Sequence, residues 1–488
     1  MKVLLINPQS KAVEKSCIWQ REMLTPVIPL GLAYIAAVLE KNAIPVKVLD
    51  QVAEKWNEDK LFASIINENP DLIGITCLSA SMDTVISLSR RIRNHNKDIK
   101  IILGNIHASI FAEQLLNAGL ADIIVHGEGE YTMLEVISRI EKKLNFGGIG
   151  GIGYIEEGKL YNNRENYIIP DLDNLPYPAF HLFDLNKYKE IPLASIYGEI
   201  ALVISASRGC PFDCIFCAQN KIFAKTRYRK IDSVVDEMEY MHTIYNAKYF
   251  GFVDAFFPFS IEHGMEFCEQ LIKRGLNKKV RWVTETVVNL IDPQLTRKMK
   301  EAGLHMLEFG FESGSQRILD TFGKKVNLEQ GKKAVRYAKD AGILTLGLFM
   351  LGLPGETAEE CEQTVKFAKE LDCDFVKFNL ATPYPGSRLF ELSMEKIGKI
   401  RNLSGFNSWY DWFENKDNEF YTVGLMSAKE LRNIQRKAMF NFYFRPAKVI
   451  KTIVNKRVSF KFLLFGAMLL LTGYFKALSA KWEKPKIN

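Results

Sequence analysis

The chain has 488 residues, too many for one ordinary hydrophobic core, so two domains with extensions are expected. With 47% hydrophobic and 25% charged residues, most of it should be folded rather than disordered. The formal net charge of +7 is concentrated in residues 445–488, where ten Lys and Arg stand against the single acid Glu483. The remainder is close to neutral, which argues against an enzyme coated in basic patches for nucleic acid.

Met1-Lys2 runs straight into the apolar Val3-Leu4-Leu5-Ile6, without a charged leader, long apolar stretch and cleavage site, so no secretory signal is expected. Short apolar runs at 3–7, 46–49, 73–76, 101–103 and 123–125 read as strands, and amphipathic stretches at 31–41, 60–68, 83–94, 112–117 and 131–143 read as helices. This alternation predicts a parallel, doubly wound, flavodoxin-like sheet over residues 1–145. Ligands of such sheets sit at the carboxyl ends of the strands. Asn7-Pro8, Asp50, Gly104-Asn105-Ile106-His107 and Gly127-Glu128-Gly129-Glu130 fall there.

Residues 146–195 read as a linker, because Gly147, Gly148, Gly150 and Gly151 and then Pro170, Pro176 and Pro178 break any periodic pattern. A second βα series begins near Ala201, with strands expected at 201–206, 249–254, 281–285, 306–311, 345–351 and 375–380. Six units are fewer than the eight of a closed barrel, so residues 196–400 are expected to form an open, partial (β/α)6 barrel with its site at the strands' carboxyl ends. Residues 401–488 lack this alternation and are expected to be mainly helical, ending in the basic, apolar tail.

Eight cysteines in so long a chain do not suggest a disulfide scaffold. Cys17, Cys77, Cys268, Cys361 and Cys373 are scattered and read as small core residues. Cys210, Cys214 and Cys217 instead fall within eight residues, on the loop after the first strand of the second series. Three thiolates hold a cubane cluster and leave its fourth iron open to a substrate. A structural zinc normally takes four protein ligands; no fourth cysteine lies nearby, and the next histidine is His242.

The stretch Cys210-Pro211-Phe212-Asp213-Cys214-Ile215-Phe216-Cys217 resembles the C-x3-C-x2-C motif of the radical S-adenosylmethionine (SAM) superfamily, with Phe216 as the aromatic before the last cysteine. The resemblance implies a 4Fe–4S cluster whose open iron chelates SAM and cleaves it to a 5′-deoxyadenosyl radical. It also implies SAM contacts from Phe216, from Asp254 at the second strand end, from Glu312 and Ser313 of Gly310-Phe311-Glu312-Ser313-Gly314, and from Gly352 of the glycine-bearing fifth strand end. Ala255 stands where the family has a second acid. Thr357 and Glu360 are expected to form a capping box on the next helix.

The first 145 residues resemble the cobalamin-binding domain of class B radical SAM enzymes, the family of radical SAM methylases and of the anaerobic magnesium-protoporphyrin ester cyclase. The matching pieces are Pro29-Leu30-Gly31-Leu32-Ala33-Tyr34, Asp71-Leu72-Ile73-Gly74-Ile75, Leu103-Gly104-Asn105-Ile106-His107 and Gly127-Glu128-Gly129-Glu130. The resemblance implies corrinoid contacts from Asn7, Leu30, Gly104, Asn105, His107, Gly127, Glu128, Gly129 and Glu130. No D-x-H-x-x-G stretch is present, so base-off cobalamin without a histidine ligand is expected, with His107 a loop hydrogen-bonder. A degenerate domain that has lost its cofactor is the alternative.

The activity so implied is methyl transfer from SAM through methylcobalamin to an unactivated carbon or phosphorus centre. The alternatives are a cyclase or ring-rearranging enzyme, a methylthiotransferase and a non-enzymatic corrinoid sensor. A one-electron reductant such as flavodoxin or ferredoxin is an expected partner, with a cytoplasmic location. The uncharged run 462–475 would make a helix of about 21 Å, short of the roughly 30 Å hydrocarbon core. It therefore either packs on the barrel or, with Arg445, Lys448, Lys451, Lys456, Arg457 and Lys461 as a basic flank, attaches to the inner face of an anionic membrane, which would suit a lipid-like substrate over a soluble small molecule.

Overall fold

The computed structural model describes residues 1–15, 26–165, 168–188, 199–223, 225–324, 326–397, 424–446 and 448. Two compact units form: Met1–Ile191 with Ile200–Ala247 and Tyr384–Glu414, and Pro192–Glu199 with Lys248–Pro383 and Asn415–Asn488.

The first unit is built on β1 (Val3–Asn7), β2 (Val46–Asp50), β3 (Leu72–Thr76), β4 (Lys100–Gly104), β5 (Ile123–Val125), β6 (Ile152–Glu156) and β7 (Lys159–Asn163), in the order β2-β1-β3-β4-β5-β6-β7. The first five are parallel, in flavodoxin-like order, which places the topological switch between β1 and β3. Alternation along these strands serves two buried faces. Leu4, Ile6, Ile73, Ile75, Ile101 and Leu103 pack on Leu61, Ile65, Val85, Leu88 and Ile92. Val3, Leu5, Leu72 and Ile102 pack on Leu32, Ala36, Leu39, Val136 and Ile137. Helices on both faces explain why these strands read as nearly continuous apolar runs.

Residues 146–195, expected as a linker, contain the hairpin β6–β7, which continues the first sheet antiparallel to β5. Its tip is Glu157-Gly158 with both φ positive, at 50° and 75°, the geometry of a type I′ turn. β7 is exposed at most positions and so carries no apolar alternation to betray it. Tyr161 stacks on Tyr154 with ring centroids 5.0 Å apart.

The second sheet comprises β8 (Ala201–Ile204), β11 (Tyr249–Phe252), β12 (Arg281–Thr286), β13 (Leu304–Glu312), β14 (Leu344–Leu351) and β15 (Phe375–Leu380), in chain order. Between β8 and β11 lie two short strands, β9 (Ser207–Arg208) and β10 (Arg227–Tyr228). The pairs from β11 to β15 are all parallel, each joined through a helix. All six strands of the expected partial barrel are present.

One face of β13–β15 buries a ladder of aromatics, Phe309, Phe311, Phe349 and Phe378, against Phe367 of the helix Ala358–Leu371. That helix starts with the expected capping box of Thr357 and Glu360. A register shift between Gly310 and Glu312 gives Glu312 a φ of 61° and re-aims the end of β13.

The described part of the C-terminal region is a helix, Ala428–Tyr443, opened by a capping box of Ser427 and Glu430. It closes the exposed edge of the sheet: the Tyr443 hydroxyl accepts from Val376 N at 2.9 Å and donates to Val376 O at 2.8 Å, and Gln435 donates to Phe378 O. Arg445 pairs with Asp372 at 3.3 Å, and buried Lys448 donates to Cys373 O. Two of the six basic residues read as a membrane flank are thus engaged in packing. The run 462–475 and the rest of the tail lie outside the described residues, as does Cys17. Among the described residues no helix is long and apolar enough to cross a membrane.

Candidate active site

The three clustered cysteines sit on a loop whose base is a two-residue antiparallel ladder, Arg208 opposite Arg227 and Ser207 opposite Tyr228. Gly209 turns the chain out of that ladder at φ 92°. A Cβ there would lie 2.5 Å from Lys225 O, so the close backbone approach requires glycine. Cys217 N donates to Cys214 O at 3.0 Å, curling the two later thiols into one turn. Asn220 Nδ2 to Phe212 O and Leu389 N to Ile215 O hold the loop from either side. Cys210, Cys214 and Phe216 are half-buried and Cys217 is exposed, so the thiols are accessible. Cys77, Cys268, Cys361 and Cys373 are buried in the core, where burial pushes the thiols of Cys77, Cys268 and Cys373 up to about 12 and holds them inert.

Below the loop lies a buried charge network absent from the sequence reading. Glu128 Oε1 accepts from Arg208 Nη1 at 2.8 Å and Arg227 Nη2 at 3.0 Å, and its Oε2 accepts from Arg227 Nη1 at 2.7 Å and Ile169 N at 2.8 Å. Glu130 takes the second arm of Arg208 at 2.5 Å. Burial alone would raise the Glu128 carboxyl, but Arg227 and Arg208 hold it below the usual range. Arg208 also lies over the rings of Tyr34 and Phe223. Arg229 beside it pairs with Glu237 and Asp173. Glu128 and Glu130, expected to face a corrinoid, thus bind the arginines that flank the cysteine loop. The only local signal is the position of Arg208, two residues before Cys210.

The other residues of the first unit expected to face a corrinoid lie at strand ends, apart from Leu30. Asn7 donates to Asp50 Oδ1 at 2.9 Å, and Asp50 also accepts from Tyr188 at 2.6 Å while capping the short helix after β2. Leu30 opens the helix Leu30–Lys41, half-buried. At the end of β4 a Cβ on Gly104 would meet Val125 O at 3.9 Å, an ordinary van der Waals contact. Asn105 holds φ 80°, donating to Thr76 Oγ1 and accepting from Ile106 N. His107 is fully buried, with Nδ1 3.0 Å from Ser79 Oγ and its ring against Phe111; burial pushes it down to about 4, so it is a neutral hydrogen-bonder. Gly127 has φ 65°, and Gly129 packs close to Ile35.

In the second unit Asp254 is buried just past the end of β11. Glu312 at the end of β13 pairs with Lys324 at 2.9 Å. Glu285 of β12 joins them: an atom built on Gly310 would lie 2.8 Å from Glu312 Oε1, 3.1 Å from Lys324 Nζ and 3.4 Å from Glu285 Oε1. Burial, and then the Glu312 charge, push Glu285 up to about 7, so it exchanges a proton near neutrality. Glu285 was not expected from sequence, where one acid in a strand has no distinguishing signal. Ser313 is buried, its hydroxyl accepting from Ser315 N and 3.3 Å from Thr364 Oγ1, which occupies it in the turn. Gly352 has φ 84° and donates to Glu356 Oε2 at 2.6 Å; a Cβ there would lie 2.5 Å from Leu431. The left-handed backbone, together with the close Leu431 side chain, favours glycine at 352, a position the resemblance assigned to SAM.

Residues 204–368 match the radical SAM superfamily and residues 21–137 the B12 binding domain. The chain is 32% identical, over 93% of its length and 95% of the relative's, to an uncharacterized methyltransferase of Pyrococcus horikoshii. It is 31% identical to the anaerobic magnesium-protoporphyrin IX monomethyl ester cyclase of Rubrivivax gelatinosus, over 81% of this chain and 71% of that one. The chain belongs to the cobalamin-binding radical SAM family. Its fold is shared with the radical SAM methyltransferase TsrM of Kitasatospora setae, at a TM-score of 0.64 and 20% identity over 81% of this chain and 76% of that one. It is therefore a radical SAM enzyme, whose cofactors are a 4Fe–4S cluster, SAM and cobalamin.

The residues present fit these groups. Three accessible thiols on one loop match a cubane that takes each cysteine at a different iron. The carboxyl ends of a parallel sheet of flavodoxin-like order, where Gly104 presents no side chain, are where such sheets take their ligands.

Proposed function

We propose that this enzyme transfers a methyl group from SAM, through cobalamin, to an unactivated carbon or phosphorus centre of a small-molecule or lipid-like substrate. The observation that carries this reading is the joining, in one chain, of a three-thiol radical SAM loop to a B12-binding sheet, in a sequence 32% identical to a relative named a methyltransferase. When bound, the cluster and SAM supply a hydrogen-abstracting 5′-deoxyadenosyl radical and the corrinoid supplies a transferable methyl group. Cys210, Cys214 and Cys217 would hold the cluster, and Phe216 and Asp254 would border SAM. Glu312, fixed by Lys324, presents a carboxylate at the end of β13. Glu285 beside it holds a proton that it releases near neutral pH. Asn7, Leu30, Gly104, Asn105, Gly127 and Gly129 would line the corrinoid, with His107 buried behind them and not bound to cobalt. The reducing electron would come from a flavodoxin or ferredoxin, and the tail beyond Lys448 would contact an anionic membrane surface.

Counting nucleosides tests the reading. Methyl transfer forms S-adenosylhomocysteine and 5′-deoxyadenosine in equal amounts during substrate turnover. The second reading, a cyclase, is favoured by the Rubrivivax relative and yields 5′-deoxyadenosine without S-adenosylhomocysteine.

A further inference from the structure

We infer that Glu128 is a positioning residue of the cluster loop, neutralising Arg208 and Arg227 at the loop's base and so setting both its closure and the charge felt by the cluster. The inference rests on the assignment of the cluster to Cys210, Cys214 and Cys217. Arg208 immediately precedes the loop of residues 209–226 and Arg227 immediately follows it, and the two are register partners in an antiparallel pair. Like charges directly opposite destabilise such a pair. Here both guanidinium groups are nearly buried, with side-chain exposures of 10% and 11%, so water screens them little. Glu128 is the one described residue hydrogen-bonded to both. Glu130 reaches Arg208 alone.

The same contacts argue against a corrinoid role for this carboxylate. An ionised carboxylate offers about four acceptor directions. Glu128 uses them on Arg208, twice on Arg227 and on Ile169 N, with its side chain 2% exposed. The turn that carries it, between β5 and the helix Glu130–Glu141, belongs to the B12-binding sheet. One side chain therefore ties that sheet to both ends of the cysteine loop.

Removing the Glu128 charge leaves uncompensated positive charge beside the cluster, which favours the reduced cluster; removing Arg227 does the opposite. The test uses the full chain, reconstituted anaerobically with iron and sulfide, as wild type, Glu128→Gln, Arg227→Gln and the double variant. Midpoint potentials are read by redox titration with electron paramagnetic resonance. Hydrogen–deuterium exchange of residues 209–226 is read in the cluster-free proteins. Asp122→Asn, which removes a carboxylate paired with Arg93 elsewhere on the same sheet, is the control.

The expected result is an upward shift for Glu128→Gln and a downward shift for Arg227→Gln, each by a factor of about three in the reduction equilibrium, or roughly 28 mV at 59 mV per tenfold for one electron. The double variant returns towards wild type, exchange in the loop quickens in both single variants, and Asp122→Asn changes neither. A merely structural role moves both single variants in the same direction, and that result overturns the inference. If Glu128→Gln takes up no cluster, the charge-balanced double variant must recover uptake, and its failure also overturns it. A wild-type protein that binds no cluster sinks the cluster assignment instead, and loop exchange in the apo proteins then decides the clamp by itself.

Discussion

Replacing Gly209 with alanine should open the cysteine loop without touching a thiol. Gly209 holds φ 92°, and a Cβ built there lies 2.5 Å from Lys225 O and 2.9 Å from both Lys225 C and Thr226 Cα. A left-handed backbone costs an L residue about 1–2 kcal/mol. The three neighbours are main-chain atoms that cannot swing aside, so the β9–β10 ladder must part, at about 1 kcal/mol of net hydrogen bonding. The total of about 2–3 kcal/mol corresponds to a roughly 30- to 150-fold loss in loop closure. Because the opening is local, the global melting temperature should change little. Iron and sulfide per chain, measured after anaerobic reconstitution over a range of iron concentrations, should show uptake shifted to correspondingly higher iron. Gly119→Ala is the matched comparison, since Gly119 has φ 65° and nothing within 4 Å of its Cβ position; its uptake should follow wild type. Full loading of Gly209→Ala at the wild-type iron concentration would refute the reasoning.

Three further outcomes follow from the same geometry. Cys210→Ala, Cys214→Ala and Cys217→Ala should each abolish cluster assembly, whereas Cys268→Ala, in the buried core, should keep it; visible absorption after reconstitution decides, and a cluster in the triple variant contradicts the assignment. Glu285, pushed from 4.5 up to about 7, keeps in the folded chain a proton that the unfolded chain has released, so stability should fall as pH rises from 4.5 through 7, by about 3 kcal/mol in all. Urea unfolding at pH 5.5 and 8 should show Glu285→Gln without that component, and an unchanged pH dependence would show Glu285 to be ionised throughout. A chain ending at Lys448 keeps the contacts of Arg445 and Lys448 with Asp372 and Cys373, so it should stay folded while losing flotation with anionic vesicles; equal recovery of the intact chain with neutral and anionic vesicles would leave the tail no membrane role.

Much of the architecture was legible because its signals are local. Each parallel strand is a short apolar run between amphipathic helices, and the cysteines lie within eight residues of one another. The hairpin Ile152–Asn163 escaped because β7 faces solvent and its turn is Glu157-Gly158 rather than a strong Asn-Gly signal. Site residues were legible as strand-end positions but not as contacts. Glu128 meets Arg208 and Arg227 across 80 and 99 residues, and Gly352 meets Leu431 across a comparable span, so neither pairing leaves a pattern in the sequence. Both read as cofactor residues because glycine and glutamate at a strand end look alike whether they serve a ligand or a neighbouring element. Glu285 shows the converse: burial beside Glu312 and Lys324 makes a plain acid a proton-exchanging group.

The central claim, that cluster and corrinoid act together in methyl transfer, is tested most directly with SAM carrying a trideuterated methyl group. The enzyme is produced with hydroxocobalamin, reconstituted and reduced anaerobically, then given the labelled SAM, and the corrinoid and nucleosides are analysed by mass spectrometry. The account predicts a trideuterated methyl group on the protein-bound corrinoid, with S-adenosylhomocysteine and 5′-deoxyadenosine both released. A corrinoid that stays unlabelled while 5′-deoxyadenosine accumulates would contradict it.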